Sequence, residues 1–207
     1  MLSTANITIL LIVINLVVSF AGFQNRSVFD RLCFSPTRVW YHREYWRLLT
    51  SAFLHADWMH FLFNMMALYS FGPIIEYYFD AQLGSSNHLG YLFFYIMAAI
   101  LSSVPDLIQQ RNNQYFHAVG ASGAVSAVVF ASILFTPMTG ISIMFLPGIP
   151  GFIFGFIYLA YSAYMAKLQR DNIGHMAHFS GALFGFVFPL FFRPELFMAF
   201  ISQILHR

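Results

Sequence analysis

Six apolar segments dominate this 207-residue chain, and their lengths restrict the folds that it can adopt. A helix that crosses the hydrocarbon core of a bilayer needs ~20 mostly apolar residues. The six segments predict helices at residues 4–23, 58–79, 89–108, 121–135, 148–166 and 173–192. The sequence therefore predicts an all-α membrane protein, a single domain over residues 1–207 with a long first loop (24–56) and a short amphipathic tail (193–207).

The composition supports a membrane environment. Only 9% of the residues are charged, whereas 59% are hydrophobic. Soluble domains carry about a quarter charged residues, so this chain has too little charge to cover a water-facing surface. We therefore expect the lipid bilayer as a partner, and the net charge of +2 with thinly spread arginines argues against nucleic acid. Residues 1–6 contain no Lys or Arg, so we expect the first segment to remain as a helix and not to be removed as a signal peptide.

The long first loop combines arginines with aromatic residues. It holds five of the ten basic residues and also Trp40, Tyr41, Tyr45 and Trp46. Such a mixture is typical of segments at the membrane–water interface. We expect this loop to be structured and partly immersed in the headgroup layer, with an ordinary solvated loop as the alternative.

Six spans place the starts of the second, fourth and sixth helices on one face of the membrane. The fourth segment, 121–135, is only ~22 Å long at 1.5 Å per residue, which is shorter than the ~30 Å hydrocarbon core. Its start is therefore expected to be recessed, so that the polar third loop, 109–119, dips into the protein. Irregular backbone at that depth requires surrounding protein or water. These lengths predict a wet cavity with Ser122 at its floor.

Two residues near the predicted cavity are candidates for covalent catalysis. Ser122 lies at a helix start, where unpaired N–H groups stabilise a developing anion. His178 is an ionisable residue inside a predicted span, which is usually functional. It precedes Gly181 and Gly185, a small-residue stripe that allows close helix packing. The alternatives are a packing serine and a histidine that is hydrogen-bonded for structural reasons.

His60 and Asn64 are one helical turn apart on the second helix, so both side chains lie on one face. Both can donate hydrogen bonds to the oxyanion of an acyl-transfer reaction, together with the Ser122 amide. Polar contacts between helices are the alternative.

The histidines could instead bind a metal, with His175 and His178 joined by His60 or His117. No carboxylate stands beside them in a metal-binding motif, so we expect no metal. Asp171 lies about two turns before His178, near the interface, and is not well placed as a third member of a triad. A Ser–His dyad is the simpler prediction.

The sequence resembles the rhomboid family of intramembrane serine proteases. The resemblance covers the predicted six-helix core and rests on motifs that occur in order, each at the appropriate helix: Trp46-Arg47, His55, His60-Phe61-Leu62-Phe63-Asn64, Gly120-Ala121-Ser122-Gly123 and Ala177-His178-x-x-Gly181-x-x-x-Gly185.

The resemblance implies a six-helix bundle with a Ser122–His178 dyad. It implies an oxyanion hole made by His60, Asn64 and the Ser122 amide. It also implies cleavage of transmembrane segments of other proteins without a cofactor, and lateral substrate entry controlled by the fifth helix and fourth loop. A catalytically inactive rhomboid-like protein that binds membrane clients is the alternative from another class.

Two positions depart from the family pattern. In many relatives a tyrosine four residues after the nucleophile stacks on the catalytic histidine, whereas this chain has Ser126 there. The second helix reads Gly72-x-x-x-Glu76-x-x-x-Asp80, where the family often has a final glycine. We expect Glu76 to anchor the first loop through Arg47.

The charge distribution and the resemblance disagree about orientation. The active-site face carries eight basic residues and the other face two, so the positive-inside rule places the active site in the cytoplasm. The resemblance implies the opposite, with both termini cytoplasmic and the site opening on the extracytoplasmic side of the plasma or inner membrane. We follow the resemblance, because five of these charges lie in the structured first loop.

Overall fold

A computed structural model describes residues 6–83, 89–142, 147–168 and 174–206. Helices dominate this part of the chain. In order, they are α1 (Asn6–Gln24), α2 (Arg26–Leu32), α3 (Pro36–His42), α4 (Arg47–Thr50), α5 (Trp58–Leu83), α6 (Leu89–Ser102), α7 (Val104–Gln109), α8 (Ser122–Phe135), α9 (Gly151–Leu168), α10 (His175–Phe192) and α11 (Glu195–Leu205). A 3-10 turn at Ser51–Phe53 links α4 to α5.

The structure confirms a predominantly helical membrane protein. Four stretches of the described residues are long and apolar enough to cross a bilayer: Ile7–Gln24, Leu89–Gln109, Gly151–Leu168 and His175–Phe192. The other two predicted segments correspond to α5 and α8. The first carries several polar residues and the second has only 14 residues. The count of six spans therefore remains a prediction, and the predicted helix starts at residues 4 and 173 lie outside the described residues.

The ends of two predicted helices differ from the observed ones for local reasons. The third predicted helix is interrupted at Ser103, after which α7 begins with a proline in its first turn. The fifth begins at Gly151 and not at residue 148, because Ile149–Pro150 (β2) pairs antiparallel with Gly140–Ile141 (β1). The first strand of this ribbon lies in the predicted fourth loop, residues 136–147, of which residues 143–146 lie outside the described part, and the second strand occupies the predicted start of the fifth helix.

The centre of the fold is the pair α8 and α10. Every residue of α8 after Ser122 is buried. A Cβ atom added at Gly181 would lie 2.1 Å from the carbonyl oxygen of Gly123, and one added at Gly185 would lie 2.1 Å from that of Ala127. The two helix backbones are therefore in direct contact, and the stripe of small residues on α10 lies against α8.

The first loop is held by hydrogen bonds from a buried arginine. The guanidinium of Arg47 donates to the carbonyl oxygens of Asp30 and Cys33, both at 2.8 Å, and pairs with Glu44. The loop aromatics Trp40, Tyr41, Tyr45 and Trp46 stay exposed. Buried polar anchors and exposed aromatics give the loop the composition of an interfacial segment.

The expected contact between Glu76 and Arg47 is wrong. The carboxylate of Glu76 instead accepts hydrogen bonds from the backbone N–H groups of Ile7 and Thr8 and from the Thr8 hydroxyl, at 3.0 to 3.2 Å. The first N–H groups of a helix lack partners within it and attract negative charge. Glu76 therefore caps α1, whereas Arg47 forms its ion pair with Glu44 of the same loop.

Candidate active site

Ser122 is the first residue of α8 and the only residue of that helix that is not buried. The polar third loop ends directly before it. The first N–H groups of a helix have no carbonyl partner within the helix, so they can stabilise negative charge that develops near the Ser122 hydroxyl. A nucleophile at this position would have donors from its own backbone.

The imidazole of His60 lies against Gly120, beside Ser122. A Cβ atom at Gly120 would come within 2.6 Å of the ring carbon Cε1 and 2.8 Å of Nε2, and would lie 3.7 Å from Ser122 Oγ. Gly120 also has a φ of +131°, which side chains other than hydrogen rarely permit. Glycine is therefore required here for two reasons, and its absent side chain leaves His60 and the Ser122 hydroxyl side by side.

Asn64 is buried one turn after His60 on the same face of α5. Its Nδ2 donates a hydrogen bond of 2.9 Å to the carbonyl oxygen of His60. An amide group has two N–H donors, so one remains in addition to this bond. This bond to the preceding turn fixes the orientation of the amide along the helix.

A second histidine, His55, packs against the ring of His60. The rings of His55 and His60 pack edge to face with centroids 5.1 Å apart, and His55 Nδ1 is hydrogen-bonded to Ser19 Oγ at 2.9 Å. Burial, with a smaller contribution from neighbouring His60, lowers the pKa of His55 to about 3. His55 is therefore neutral at physiological pH and packs as an uncharged ring.

His178 lies in the first turn of α10, one turn before Gly181. Gly181 contacts the backbone of Gly123, the residue that follows Ser122, so the two helices are in direct contact beside this serine. The backbone N–H of His178 donates to the Gly174 carbonyl at 3.0 Å, which places the histidine firmly in the helix. His178 and Ser122 are thus carried by neighbouring turns of the most tightly packed pair of helices.

Besides the ring of His175 on its own helix, an aromatic ring of α9 packs against His178. The rings of Tyr158 and His178 are nearly parallel, at 26°, with centroids 6.3 Å apart. The Tyr158 hydroxyl is 2.7 Å from Ser126 Oγ, within hydrogen-bond distance. Ser126, which stands where many relatives have the tyrosine, thus holds a tyrosine from another helix.

A cavity of about 260 Å³ reaches Ser122. Its walls include Ser102 and Ser103 of α6 and its end, the buried Asp106 of α7, and His117 of the third loop. A second cavity of about 330 Å³, lined by polar residues of the third loop, shares Asp106 and His117 with the first. The two cavities adjoin at these shared residues, and each is large enough to hold water.

Within the described residues, no three His, Cys, Asp or Glu side chains are grouped so that they could hold a metal ion. His175 instead packs edge to face against His178 and Tyr161. The acid weighed as a third triad member, Asp171, lies outside the described residues.

Sequence reasoning missed the residues that support the site from other helices. Tyr158 was one of several aromatics in its segment, and Asp106 was only the end of an apolar run. One signal was available: Tyr158 follows Gly151 and Gly155 by seven and three residues, so it belongs to the small-residue face of α9. That face is the buried one, since Gly151, Gly155 and Ser162 are the buried residues of the helix.

Comparison with known proteins agrees with this architecture. A family model for the Rhomboid domain matches residues 42–195, which include α5, α8, α9 and α10. The chain belongs to the rhomboid family.

Curated relatives come from several compartments. The chain is 29% identical over 143 residues to RHOMBOID-like protein 12, mitochondrial, of Arabidopsis thaliana, covering 65% of this chain and 43% of the relative. It is 30% identical over 198 residues to Rhomboid-like protein 11, chloroplastic, of the same plant, covering 86% of this chain and 62% of the relative. It is 30% identical over 141 residues to Rhomboid protease GluP of Bacillus subtilis (strain 168), covering 68% and 25%. The chain thus spans between a quarter and two thirds of the length of these relatives.

Proposed function

We propose that this chain is an intramembrane serine endopeptidase that hydrolyses peptide bonds in or near transmembrane segments of membrane proteins. The observation that carries the proposal is the arrangement around Gly120, where the His60 imidazole and the Ser122 hydroxyl lie side by side at the start of α8. The contact between the backbones of Gly123 and Gly181, which follow Ser122 and His178 by one and three residues, supports the pairing of this serine with His178.

In the proposed reaction, neutral His178 accepts the proton of the Ser122 hydroxyl as its oxygen attacks the scissile carbonyl carbon. His60, Asn64 and the Ser122 amide donate hydrogen bonds to the resulting oxyanion. His178 then protonates the leaving amine, which gives an acyl-enzyme. Water from the polar cavity attacks this ester, with His178 as base, and releases the second product.

The remaining motif residues have supporting roles in the proposal. Gly120 makes room for His60 and Gly123 makes room for Ser102 of α6, while Gly181 and Gly185 bring α10 onto α8. Arg47 and Trp46 belong to the first loop, and Glu76 supports the fold by capping α1.

Substrate identity and location are parts of the same proposal. We infer that the substrates are membrane proteins, since the site lies among helices that can span a bilayer. We also infer that the cavity opens on the extracytoplasmic side. The chain is an integral membrane protein, but relatives named as mitochondrial and chloroplastic give no support for the plasma membrane in particular.

A fluorophosphonate probe tests the proposal directly, because it forms a covalent bond only with an activated serine hydroxyl. Purified wild-type protein should be labelled, whereas Ser122→Ala and His178→Ala should not. Ser132→Ala, further along α8, and His206→Ala, at the end of α11, are the matched controls and should label normally. Labelling that persists without Ser122 or without His178 would contradict the proposed dyad.

The rival is a rhomboid-like protein without catalytic activity that binds membrane clients. Several relatives carry the name rhomboid-like and not protease, among them both Arabidopsis proteins described above. Folded wild-type protein that neither reacts with the probe nor cleaves a reconstituted transmembrane substrate, yet retains that substrate, would favour this rival.

A further inference from the structure

We propose that Tyr158 of α9, held by Ser126 of α8, is the positioning residue of His178, so that the dyad is ordered only while α9 stays in contact with α8. The inference rests on the proposed function and adds how the imidazole is oriented. The carrying observations are the nearly parallel Tyr158 and His178 rings, with centroids 6.3 Å apart, and the 2.7 Å contact between Tyr158 Oη and Ser126 Oγ.

Tyr158 is fixed on more than one side. Phe130 of α8 and Phe154 of α9 pack against its ring, with centroids 5.6 and 5.7 Å away. Its hydroxyl points to Ser126, which satisfies a polar group that would be costly to leave unpaired between helices. The ring therefore has one position, and the face that it presents to His178 limits the rotation of the imidazole.

Tyr158 belongs to α9, which has the smallest share of buried residues among the four described helical stretches that can span the bilayer. In α9 only Gly151, Gly155 and Ser162 are buried, while Phe156 is 76% exposed and Tyr164 63%. Its glycines allow the approach to α8: a Cβ atom at Gly155 would lie 3.3 to 3.4 Å from Ile133 and Phe130. Any outward movement of α9 thus removes Tyr158 from His178 and from Ser126 at once.

This arrangement links catalysis to the position of α9. If a substrate segment enters beside α9, the helix has to move outward and the imidazole loses its support. Reaction then requires that α9 returns to α8 after entry. A tyrosine on α8 would not create this link, because it would stay beside His178 whatever α9 does.

A double-mutant cycle tests the first part. The rate of fluorophosphonate labelling reports dyad geometry without substrate entry. Tyr158→Phe and Ser126→Ala both keep the aromatic ring at position 158 but remove the hydrogen bond between these two residues. Each variant should therefore slow labelling by roughly two- to tenfold. The double variant should be no slower than either single one, since all three lose the same bond. Tyr158→Leu removes the ring and should slow labelling by about tenfold or more.

Tyr164→Leu is the matched control, because this tyrosine lies on the exposed side of the same helix. It should label as the wild type does. Thermal unfolding of each variant in detergent separates loss of orientation from loss of the fold, and Tyr158→Phe is the conservative substitution if Tyr158→Leu does not fold. Wild-type labelling rates in both Tyr158→Phe and Tyr158→Leu, or additive losses in the cycle, would overturn the inference.

A second variant tests the dependence on α9. Gly155→Leu places a large side chain between α9 and α8 and should slow labelling about as much as Tyr158→Leu. Combined with Tyr158→Leu it should add no further loss, because the displaced helix acts through the tyrosine. A strictly additive loss would overturn the link to α9. If wild-type protein shows no labelling that depends on Ser122 and His178, the proposed function fails and this inference fails with it.

Discussion

At the scale of single residues, the site shows how an uncharged buried side chain can orient a polar one. His55 packs edge to face on His60 and is hydrogen-bonded to Ser19 of α1. Its neutrality avoids placing a positive charge beside the proposed oxyanion donor His60. The motif residue therefore contributes through packing and tautomer, not by touching the reacting atoms.

The burial of His55 predicts a loss of stability in acid. Its pKa in the folded protein is about 3, whereas a histidine in the unfolded chain titrates near ~6.5. The unfolded state therefore binds more protons than the folded state below about pH 6.5, so the free energy of unfolding falls as the pH is lowered towards 3. The expected slope is of the order of 1 kcal/mol per pH unit within that window.

Thermal unfolding in detergent between about pH 7 and pH 4 measures this effect. His55→Asn removes the titrating group and should flatten the pH dependence, although its stability at neutral pH is lower. His206→Ala, at an exposed position, should retain the wild-type slope. Equal slopes in wild type and His55→Asn would show that another group causes the acid loss.

At the scale of the helices, the contact between α8 and α10 leaves the least room for side chains. It depends on two positions of α10 at which even a methyl group would overlap a carbonyl oxygen of α8. A side-chain clash can be relieved by rotation, but a clash with the backbone requires that the helices separate. The proposed pairing of His178 with Ser122 therefore depends on these glycines.

Gly181→Ala should separate α10 from α8. Its Cβ would lie 2.1 Å from the Gly123 carbonyl oxygen, and overpacking of this kind costs about 1–3 kcal/mol or more. Both the unfolding temperature and probe labelling should fall. Gly174→Ala at the start of α10 is the control, because its nearest neighbour would be the Ala177 Cβ at an ordinary 3.7 Å. Similar stabilities of the two variants would contradict the close contact.

These elements also show what the sequence can and cannot predict. The glycine stripe of α10 and the start of α8 follow from local patterns, so both were predicted. The partners of Glu76 and of Ser126 are 68 and 32 residues away, and neither the composition nor the period of a helix specifies such pairs. Arg47 is the opposite case: its partner Glu44 is only three residues away in the sequence, and the expectation of a contact with the distant Glu76 passed over this local pair.

At the scale of the whole molecule, orientation in the membrane is the property on which charge and family disagree. The loops on the active-site face are rich in arginine, but part of this charge has a structural use. Arg47 is buried, and Arg26 and Arg38 pair with Asp30 and Glu44 at 3.0 and 3.3 Å. Residues that hold the first loop together would be present whichever side the loop faced.

Labelling of single cysteines determines the orientation. In a Cys33→Ser background, Tyr115→Cys places a thiol on the third loop at a residue that is 94% exposed. His206→Cys places one at the exposed end of α11. A membrane-impermeant maleimide applied to intact cells should label the first variant, and should label the second only after permeabilisation. The reverse pattern would place the site in the cytoplasm, as the charge count suggests.

The complete enclosure of α8 has a consequence for the conditions under which such a site can operate. Lipids act on a protein through the surfaces that they touch, and bilayers differ in thickness and composition between organelles. Since protein surrounds the helix that carries the serine, a thicker or thinner bilayer would alter the tilt and spacing of the outer helices first. The proposed nucleophile is therefore separated from the lipid by protein, so its surroundings should depend less on bilayer thickness than the outer helices do.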